Sequence, residues 1–134
     1  DAVRLGGTMR GRKPSLKAAL SDQRVIAGLG NIYVSEALHG ARLSPLRRAS
    51  TIATTNGAPR DAGRRLVAGI RKVLQQALVV AAAAGANDGE DEGADRFRVY
   101  DREGERCRRR GCRGTIRRIV QAGRSTFFCP VCQR

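Results

Sequence analysis

The sequence has few aromatic residues and no long hydrophobic run. It contains no tryptophan, and aromatic residues make up only 4% of its 134 residues. A core without aromatic bulk has to be filled by Leu, Ile, Val and Ala, which suits packed helices better than a large β-sandwich. No stretch approaches the roughly 20 apolar residues that cross a bilayer, and no signal peptide is recognisable. We therefore expect a soluble, cytoplasmic protein without a membrane partner.

Acidic residues are also scarce. Twelve acidic residues stand against 26 basic ones, 23 of which are Arg, and the formal net charge is +14. A GC-rich genome explains Arg in place of Lys, but it does not explain the excess of positive charge. A strongly basic chain favours a polyanionic partner, and a nucleic acid is the first expectation.

Two helix-like runs occupy the first third of the chain. The first covers residues 14–23, and a glycine-bearing turn at residues 25–31 leads to a second helix over about 32–40. The residues expected to be buried by the second helix are Ile32, Ala37 and Leu38. The first residue is Asp rather than Met, so we expect a fragment or a processed piece.

A long amphipathic helix is predicted after the loop at residues 49–60. Asp61 is a fair N-cap, and the apolar positions that follow share one helical face. These positions are Leu66, Ile70, Val73, Leu74, Ala77 and Leu78. Five acidic residues then fall between Asp88 and Asp95, which is too polar a stretch to fold alone. We interpret residues 87–98 as an acidic linker between a domain over 1–86 and another over 99–134.

Four cysteines lie in this second domain, in two close pairs separated by 16 residues. They are Cys107, Cys112, Cys129 and Cys132. This spacing is typical of a four-thiolate zinc site, whereas two disulfides are disfavoured in the cytosol. The segment between the pairs predicts a β-hairpin, with strands at 115–120 and 125–129 around a turn at 121–124. Because so few apolar residues are available, one structural zinc ion is expected to stabilise the finger.

Several stretches together resemble one known family. They are KAALSDQ at 17–23, VIAGLGNIY at 25–33, EAL at 36–38, VYDREGE at 99–105 and GRSTFFCPVCQ at 123–133. The chain resembles the formamidopyrimidine-DNA glycosylase and endonuclease VIII family, and formamidopyrimidine-DNA glycosylase more closely. The fold class that this implies is mainly α, with a helix–two-turn–helix DNA-binding domain followed by a small zinc-stabilised β-hairpin finger.

The resemblance also implies a set of DNA-binding residues. These are Arg12, Lys13, Lys17, Gly30, Asn31 and Arg124. Gly28 and Gly30 let backbone amides point outward before a helix N-terminus, which favours a phosphate. Arg124 matches the family arginine that binds the phosphate beside the lesion and has a catalytic role in δ-elimination. We interpret Arg108 to Arg110 as generic attraction to the DNA backbone, and His39 as structural or exposed.

The family's amino-terminal catalytic proline, its adjacent glutamate and a lysine belong to a β-rich domain that this chain lacks. The loop that covers the flipped base is shortened to residues 87–95. We therefore expect the carboxyl half of a bacterial base-excision-repair glycosylase and AP lyase for oxidised bases. This half would be a nucleoid-associated monomer that binds damaged or abasic double-stranded DNA and partners the missing catalytic domain.

Two alternatives remain open at this point. The chain could be a stand-alone, non-catalytic binder of damaged DNA or a gene remnant, which the residue preceding Asp1 in the gene would reveal. It could also be a zinc-ribbon protein of transcription or translation that prefers RNA, although that interpretation leaves residues 28–33 unexplained. Competition between duplex DNA and structured RNA would separate the last class from the others.

Overall fold

A computed structural model describes residues 2–9, 15–21, 30–54, 58–84, 97–121 and 123–134. Four α-helices and one hairpin occupy these ranges: α1 (Ala2–Met9), α2 (Leu16–Ser21), α3 (Asn31–Gly40), a short 3-10 helix (Ala49–Ile52), α4 (Asp61–Ala84), β1 (Arg117–Gln121) and β2 (Arg124–Phe128). Arg12, Lys13, the turn around Gly28 and most of the acidic linker lie outside the described residues. No helix of the described part of the chain has the length and apolar character needed to cross a membrane.

The described residues between 2 and 84 form a helical unit around one apolar core. The residues at its centre include Leu16, Leu20, Val34, Leu38, Leu43, Ile52 and Leu66, all fully buried. Leu, Ile, Val and Ala fill this core, as the scarcity of aromatic residues predicts. Helix α4 crosses α3 at very short range, because a Cβ added at Gly69 would lie 2.8 Å from the carbonyl oxygen of Ala37.

Both predicted helices of the first third are observed, although residues 14, 22 and 23 at the ends of the first predicted run lie outside the described residues. The first is α2, and the second is α3, which begins one residue earlier than predicted. Ala37 and Leu38 are buried, but Ile32 is only half-buried. Ile32 lies about 200° around the helix from Val34, at 100° per residue, so it faces away from the core. Helix α1 was missed because Gly6 and Gly7 lower its helix propensity.

The long amphipathic helix is confirmed, but its apolar face is not buried throughout. Leu66, Ile70 and Val73 are buried, whereas Leu78 is 71% exposed. Helix α4 has 24 residues and is about 36 Å long, so its carboxyl-terminal half extends well past α3. An open groove of about 510 Å³ lies between this half of α4 and the side chains of Tyr33 and Phe97.

Asp61 differs slightly from its predicted role. It is the first residue of α4 rather than the residue that precedes the helix. Its carboxylate pairs with Arg65 one turn later, at 3.1 Å. An acidic side chain in the first turn also interacts favourably with the helix dipole.

The finger, residues 97–134, contains the predicted hairpin with a tighter tip. Strands β1 and β2 are antiparallel, and Gln121 pairs directly with Arg124. The turn therefore has two residues instead of the four predicted, and Gly123 has a positive φ of 76°, which glycine adopts without strain. Thr115 precedes β1 and pairs with Arg106 in an isolated bridge.

Backbone hydrogen bonds from one acidic side chain hold the start of the finger against the helical unit. The carboxylate of Glu36 on α3 accepts N–H groups from Arg98, Val99 and Tyr100, at 2.6, 2.9 and 3.3 Å. A carboxylate that accepts several N–H groups forms charge-assisted bonds, which are stronger than neutral ones. Glu36 therefore fixes where the finger begins.

The last residues of the finger form a second connection. Gln133 donates its side-chain N–H to the carbonyl of Leu43 at 2.9 Å, and its side-chain oxygen accepts the N–H of Cys129 at 2.7 Å. The backbone of Arg134 bonds to Arg42 and Ser44, at 3.0 and 3.2 Å. Both ends of the finger are thus attached to the segment that includes and follows α3.

Gly69→Ala is expected to destabilise the helical unit, although alanine is the better helix former. The added methyl group would press on the Ala37 carbonyl, and overpacking of this kind costs about 1–3 kcal/mol. Thermal unfolding should show a lower Tm. The control is Gly7→Ala in α1, where an added Cβ meets nothing within 4 Å, and which should be neutral or stabilising. An unchanged or higher Tm for Gly69→Ala would contradict the close crossing.

Candidate metal centre and anion site

The four cysteine sulfurs converge on one point. All four Sγ atoms lie within 4.8 Å of one another, with Cys107 and Cys132 at 3.9 Å and Cys112 and Cys129 at 3.6 Å. A tetrahedral zinc ion with Zn–S bonds of about 2.3 Å places its sulfurs about 3.8 Å apart. The cysteines are not paired in disulfides. The arrangement therefore fits a four-thiolate metal site.

Local turns present each pair of sulfurs. Gly111 adopts a positive φ of 80° in the turn that immediately precedes Cys112. The sulfur of Cys112 accepts the N–H of Gly114 at 3.4 Å. Gly114 itself passes close to the opposite pair, since an added Cβ would lie 2.4 Å from the sulfur of Cys129. The second pair is held by the Gln133 side chain, which caps the N–H of Cys129.

The environment of the sulfurs explains why a cation is needed. Burial is the main cause that raises the pKa of the Cys107 thiol to about 12, and burial also raises the pKa of Cys132. The Gly114 N–H lowers the pKa of Cys112. Crowded sulfurs in such a site become thiolates when a metal displaces their protons. Four ligands fill a tetrahedral shell and leave no open position, so the site is structural.

His39 lies beside the cysteine cluster, and sequence reasoning did not place it there. Its side chain is fully buried, with Nε2 at 3.4 Å from the sulfur of Cys107 and 3.9 Å from that of Cys132. Burial, together with the charges of Arg109, Arg98 and Arg102, lowers the pKa of His39 to about 3. Of the two roles predicted, the structural one is observed. No motif in the sequence signals this contact, because it joins α3 to the finger.

Arg109, the central member of the run Arg108 to Arg110 interpreted as generic backbone attraction, has an internal partner that the sequence did not predict. Arg109 is half-buried and donates a hydrogen bond to the carbonyl of His39. Arg108 also has an internal partner, the carbonyl of Phe97 at 2.9 Å. Arg110 is exposed, as generic attraction to a backbone requires. An arginine's charge can be assigned from sequence, but its acceptor depends on the tertiary fold.

Lys17, Asn31 and the hairpin tip meet where the helical unit touches the finger. The ammonium group of Lys17 donates to Asn31 Oδ1 at 2.6 Å, and Asn31 Nδ2 donates to the carbonyl of Ser125 at 2.9 Å. Lys17 is only 2% exposed, and burial followed by the charge of Arg124 lowers its pKa. The structure thus brings Lys17, Asn31 and Arg124 together.

Gly30 directly precedes Asn31 at the start of α3. It is the N-cap of α3, with φ −76° and ψ 165°, and no side chain caps the helix there. An added Cβ at Gly30 would meet nothing within 4 Å, so the position is open. The first-turn amides of a helix lack intrahelical acceptors and favour an anion. Within the described part of the chain, no carboxylate forms an ion pair with Lys17 or Arg124.

The helical unit and the cysteine finger define a two-part zinc-finger protein. The formamidopyrimidine-DNA glycosylase H2TH domain model matches residues 4–87, and the model of the zinc finger found in FPG and IleRS matches residues 104–134. The chain therefore belongs to the formamidopyrimidine-DNA glycosylase family. The finger match and the four-cysteine cluster together establish one structural zinc site.

Curated relatives agree with this assignment. A formamidopyrimidine-DNA glycosylase from Rhodopseudomonas palustris is 53% identical over 139 residues, covering 100% of this chain and 47% of that protein. One from Azorhizobium caulinodans is 54% identical over 129 residues, covering 92% and 44%. The chain thus spans about half the length of the curated relatives it matches.

Solved structures share the fold. The complex between Lactococcus lactis Fpg and DNA containing an abasic site has a TM-score of 0.79 and 34% identity, covering 100% of this chain and 47% of that one. MutM in complex with DNA containing carbocyclic 8-oxo-G has a TM-score of 0.78 and 31% identity, covering 100% and 46%. MutM from Thermus thermophilus has a TM-score of 0.76 and 36% identity, covering 99% and 50%.

Gly114→Ala is expected to weaken zinc binding strongly. The new Cβ would lie 2.4 Å from the Cys129 sulfur and 3.0 Å from Val131, so the two cysteine pairs could not close on one ion. Competition with a chelator should show a loss of affinity of at least about tenfold, as for other changes that disturb ligand orientation. Gly40→Ala, where an added Cβ meets nothing within 4 Å, is the control and should bind zinc normally. Equal affinities for the two variants would be inconsistent with the close packing around Gly114.

Proposed function

We propose that this chain is the DNA-binding carboxyl half of a base-excision-repair glycosylase and AP lyase that acts on oxidised bases of the formamidopyrimidine and 8-oxoguanine class. The observation that carries the proposal is the meeting of Lys17, Asn31 and Arg124 between the helical unit and the hairpin tip. These groups form an anion site with contributions from both parts of the chain.

The electrostatics of this site favour a phosphate. Lys17 is nearly buried, and the positive charge of Arg124 disfavours its protonated form. Neither cation has a carboxylate partner among the described residues. A DNA phosphate would relieve this repulsion and accept hydrogen bonds from both side chains. The amides at Gly30 and the start of α3 would add donors to the same phosphate.

The location of Arg124 supports a position against damaged duplex DNA. Arg124 is exposed at the start of β2 and pairs with Gln121 across the two-residue turn. A long cation at a hairpin tip can reach a backbone phosphate or the minor groove. In the proposal it holds the phosphate beside the lesion and contributes to δ-elimination only when the catalytic domain is present. Arg12 and Lys13 are proposed to hold the same backbone.

The ligands in the solved relatives support the proposed substrate class. Their structures contain DNA with an abasic site, with carbocyclic 8-oxo-G, and with FAPY-dG. The excess of 14 positive charges in this chain would add affinity for any duplex and make it dependent on salt. In the proposed division of labour, this half grips a bent duplex while the other half carries the attacking amine and reads the flipped base.

Lys17→Gln and Arg124→Gln are each expected to weaken binding to a duplex with an abasic-site analogue. Loss of one charged hydrogen bond costs about 1.5–3 kcal/mol, which corresponds to at least about tenfold in affinity. The slope of log K against log salt should also become shallower by about one unit for each phosphate that the variant no longer neutralises. Binding is measured by fluorescence anisotropy over a range of salt concentrations.

Arg113→Gln is the matched control, because Arg113 is a finger arginine outside the site. It removes the same charge and should change affinity much less. An equal loss of affinity in all three variants would mean that net charge alone explains the loss, and it would contradict the proposed phosphate site. Competition with structured RNA in the same assay should leave the duplex bound, and preferential displacement by RNA would favour the zinc-ribbon alternative.

Borohydride trapping on an abasic duplex should give no covalent adduct with the zinc-loaded chain. A Schiff base requires an amine placed against the opened sugar, and in the proposal the family's attacking proline lies in the other half of the protein, outside these 134 residues. The adduct is sought by denaturing electrophoresis and mass spectrometry. An efficient adduct would show that Lys13, Lys17 or the terminal amine acts as a lyase, and the chemistry would then belong to this half.

A further inference from the structure

We propose that His39 is a positioning residue for the zinc site, donating a hydrogen bond from Nε2–H to the thiolate of Cys107. All four zinc ligands come from the finger, whereas His39 belongs to the last turn of α3. This role concerns the metal site alone and does not depend on the proposed function.

The His39 imidazole has few possible hydrogen-bond partners. Nε2 lies 3.4 Å from the sulfur of Cys107 and 3.9 Å from that of Cys132. The side chain is fully buried, and Nδ1 has no hydrogen-bond partner among the described residues. A buried imidazole that has sulfur on one side only must satisfy its N–H there or leave it unpaired, which costs about 1–3 kcal/mol.

The charge of a loaded site decides which nitrogen carries the proton. Four thiolates and one Zn²⁺ sum to a net charge of about −2. A proton on Nδ1 would leave a buried donor without an acceptor and would point the Nε2 lone pair at a negatively charged sulfur. A proton on Nε2 makes a favourable N–H to sulfur bond and leaves only an unpaired acceptor at Nδ1. Zinc binding therefore selects the Nε2–H tautomer.

Other N–H donors also lie close to the cysteine cluster. The N–H of Gly114 lies 3.4 Å from the sulfur of Cys112. Arg109, which lies between Cys107 and Cys112, donates to the carbonyl of His39, so it connects the imidazole's own backbone to the turn that carries these two ligands. Partners that orient metal ligands in this way commonly affect affinity by about 10- to 100-fold.

The consequence is that the helical unit contributes to metal affinity. Along α3, Asn31 bonds to the hairpin at Ser125, Glu36 holds the start of the finger, and His39 reaches the sulfurs. One helix thus contacts the finger at three levels. A finger separated from α3 would lose the His39 donor even though it keeps all four ligands.

Substitution of His39 in the full 134-residue chain tests the hydrogen bond. His39→Leu keeps an apolar side chain but removes the donor, and zinc affinity in chelator competition should fall by about 10- to 100-fold. His39→Gln places an amide N–H near the position of Nε2 and should restore most of that affinity. Ser35→Ala is the control, because it removes a buried, unpaired hydroxyl from the same helix without approaching the sulfurs.

Cobalt substitution gives a readout that a packing role would not move. A hydrogen bond lowers the energy of the sulfur lone pairs, so its loss in His39→Leu should shift the sulfur-to-cobalt charge-transfer band to longer wavelength. His39→Gln and Ser35→Ala should leave the band in place. Wild-type affinity together with an unshifted band in His39→Leu would overturn the proposal.

A measurement on the unmodified chain decides the matter if His39→Leu fails to fold. With ¹⁵N-labelled histidine and ¹¹³Cd in place of zinc, Nε2 should carry the proton, and that proton should couple to ¹¹³Cd through the sulfur. Because the chain has one histidine, the assignment is direct. A proton on Nδ1 in the loaded protein would refute the hydrogen bond.

Discussion

The small core of the finger is the constraint on which the rest of the structure depends. Its buried cluster consists of Val99, Cys107, Ile116, Phe127 and Cys129, and two of these five residues are metal ligands. Apolar packing on this scale does not hold a fold. The finger therefore takes its shape from thiolate ligation inside and from α3 outside. This explains why polar contacts to α3 are so frequent in a chain that is otherwise packed by aliphatic side chains.

The proposed anion site depends on the same arrangement. Lys17 belongs to α2, Asn31 to α3 and Arg124 to the hairpin, so no single element contains the site. Asn31 uses its oxygen for Lys17 and its nitrogen for the Ser125 carbonyl, which orients the amide without any ligand present. Among the described residues no carboxylate pairs with either cation, so the fold itself holds the two near each other. In the proposal, metal ligation and anion recognition are linked because both depend on how the finger packs against α3.

The sequence predicted the features that local chemistry determines. Cysteine spacing identified the zinc ligands because two close pairs can converge on one tetrahedral ion. The glycine-bearing turn located the start of α3, and helical periodicity located the buried part of α4. The resemblance identified Lys17, Asn31 and Arg124, which the fold brings together, although their role in binding stays a prediction. Sequence reasoning missed α1, because Gly6 and Gly7 lower its helix propensity, and it missed the contact of His39 with the cysteines and the internal role of Arg109. The last two depend on neighbours distant in sequence, as does the end of burial along α4.

The crossing of α3 and α4 at Gly69 gives the long helix the mechanics of a cantilever. The two backbones approach most closely at Gly69, α4 stays packed as far as Val73, and about 16 Å of helix projects from there to Ala84. A tilt of about 10° would move the end of the helix by about 3 Å at this length. The position at which the chain leaves α4 towards the finger therefore depends on the absence of a side chain at Gly69.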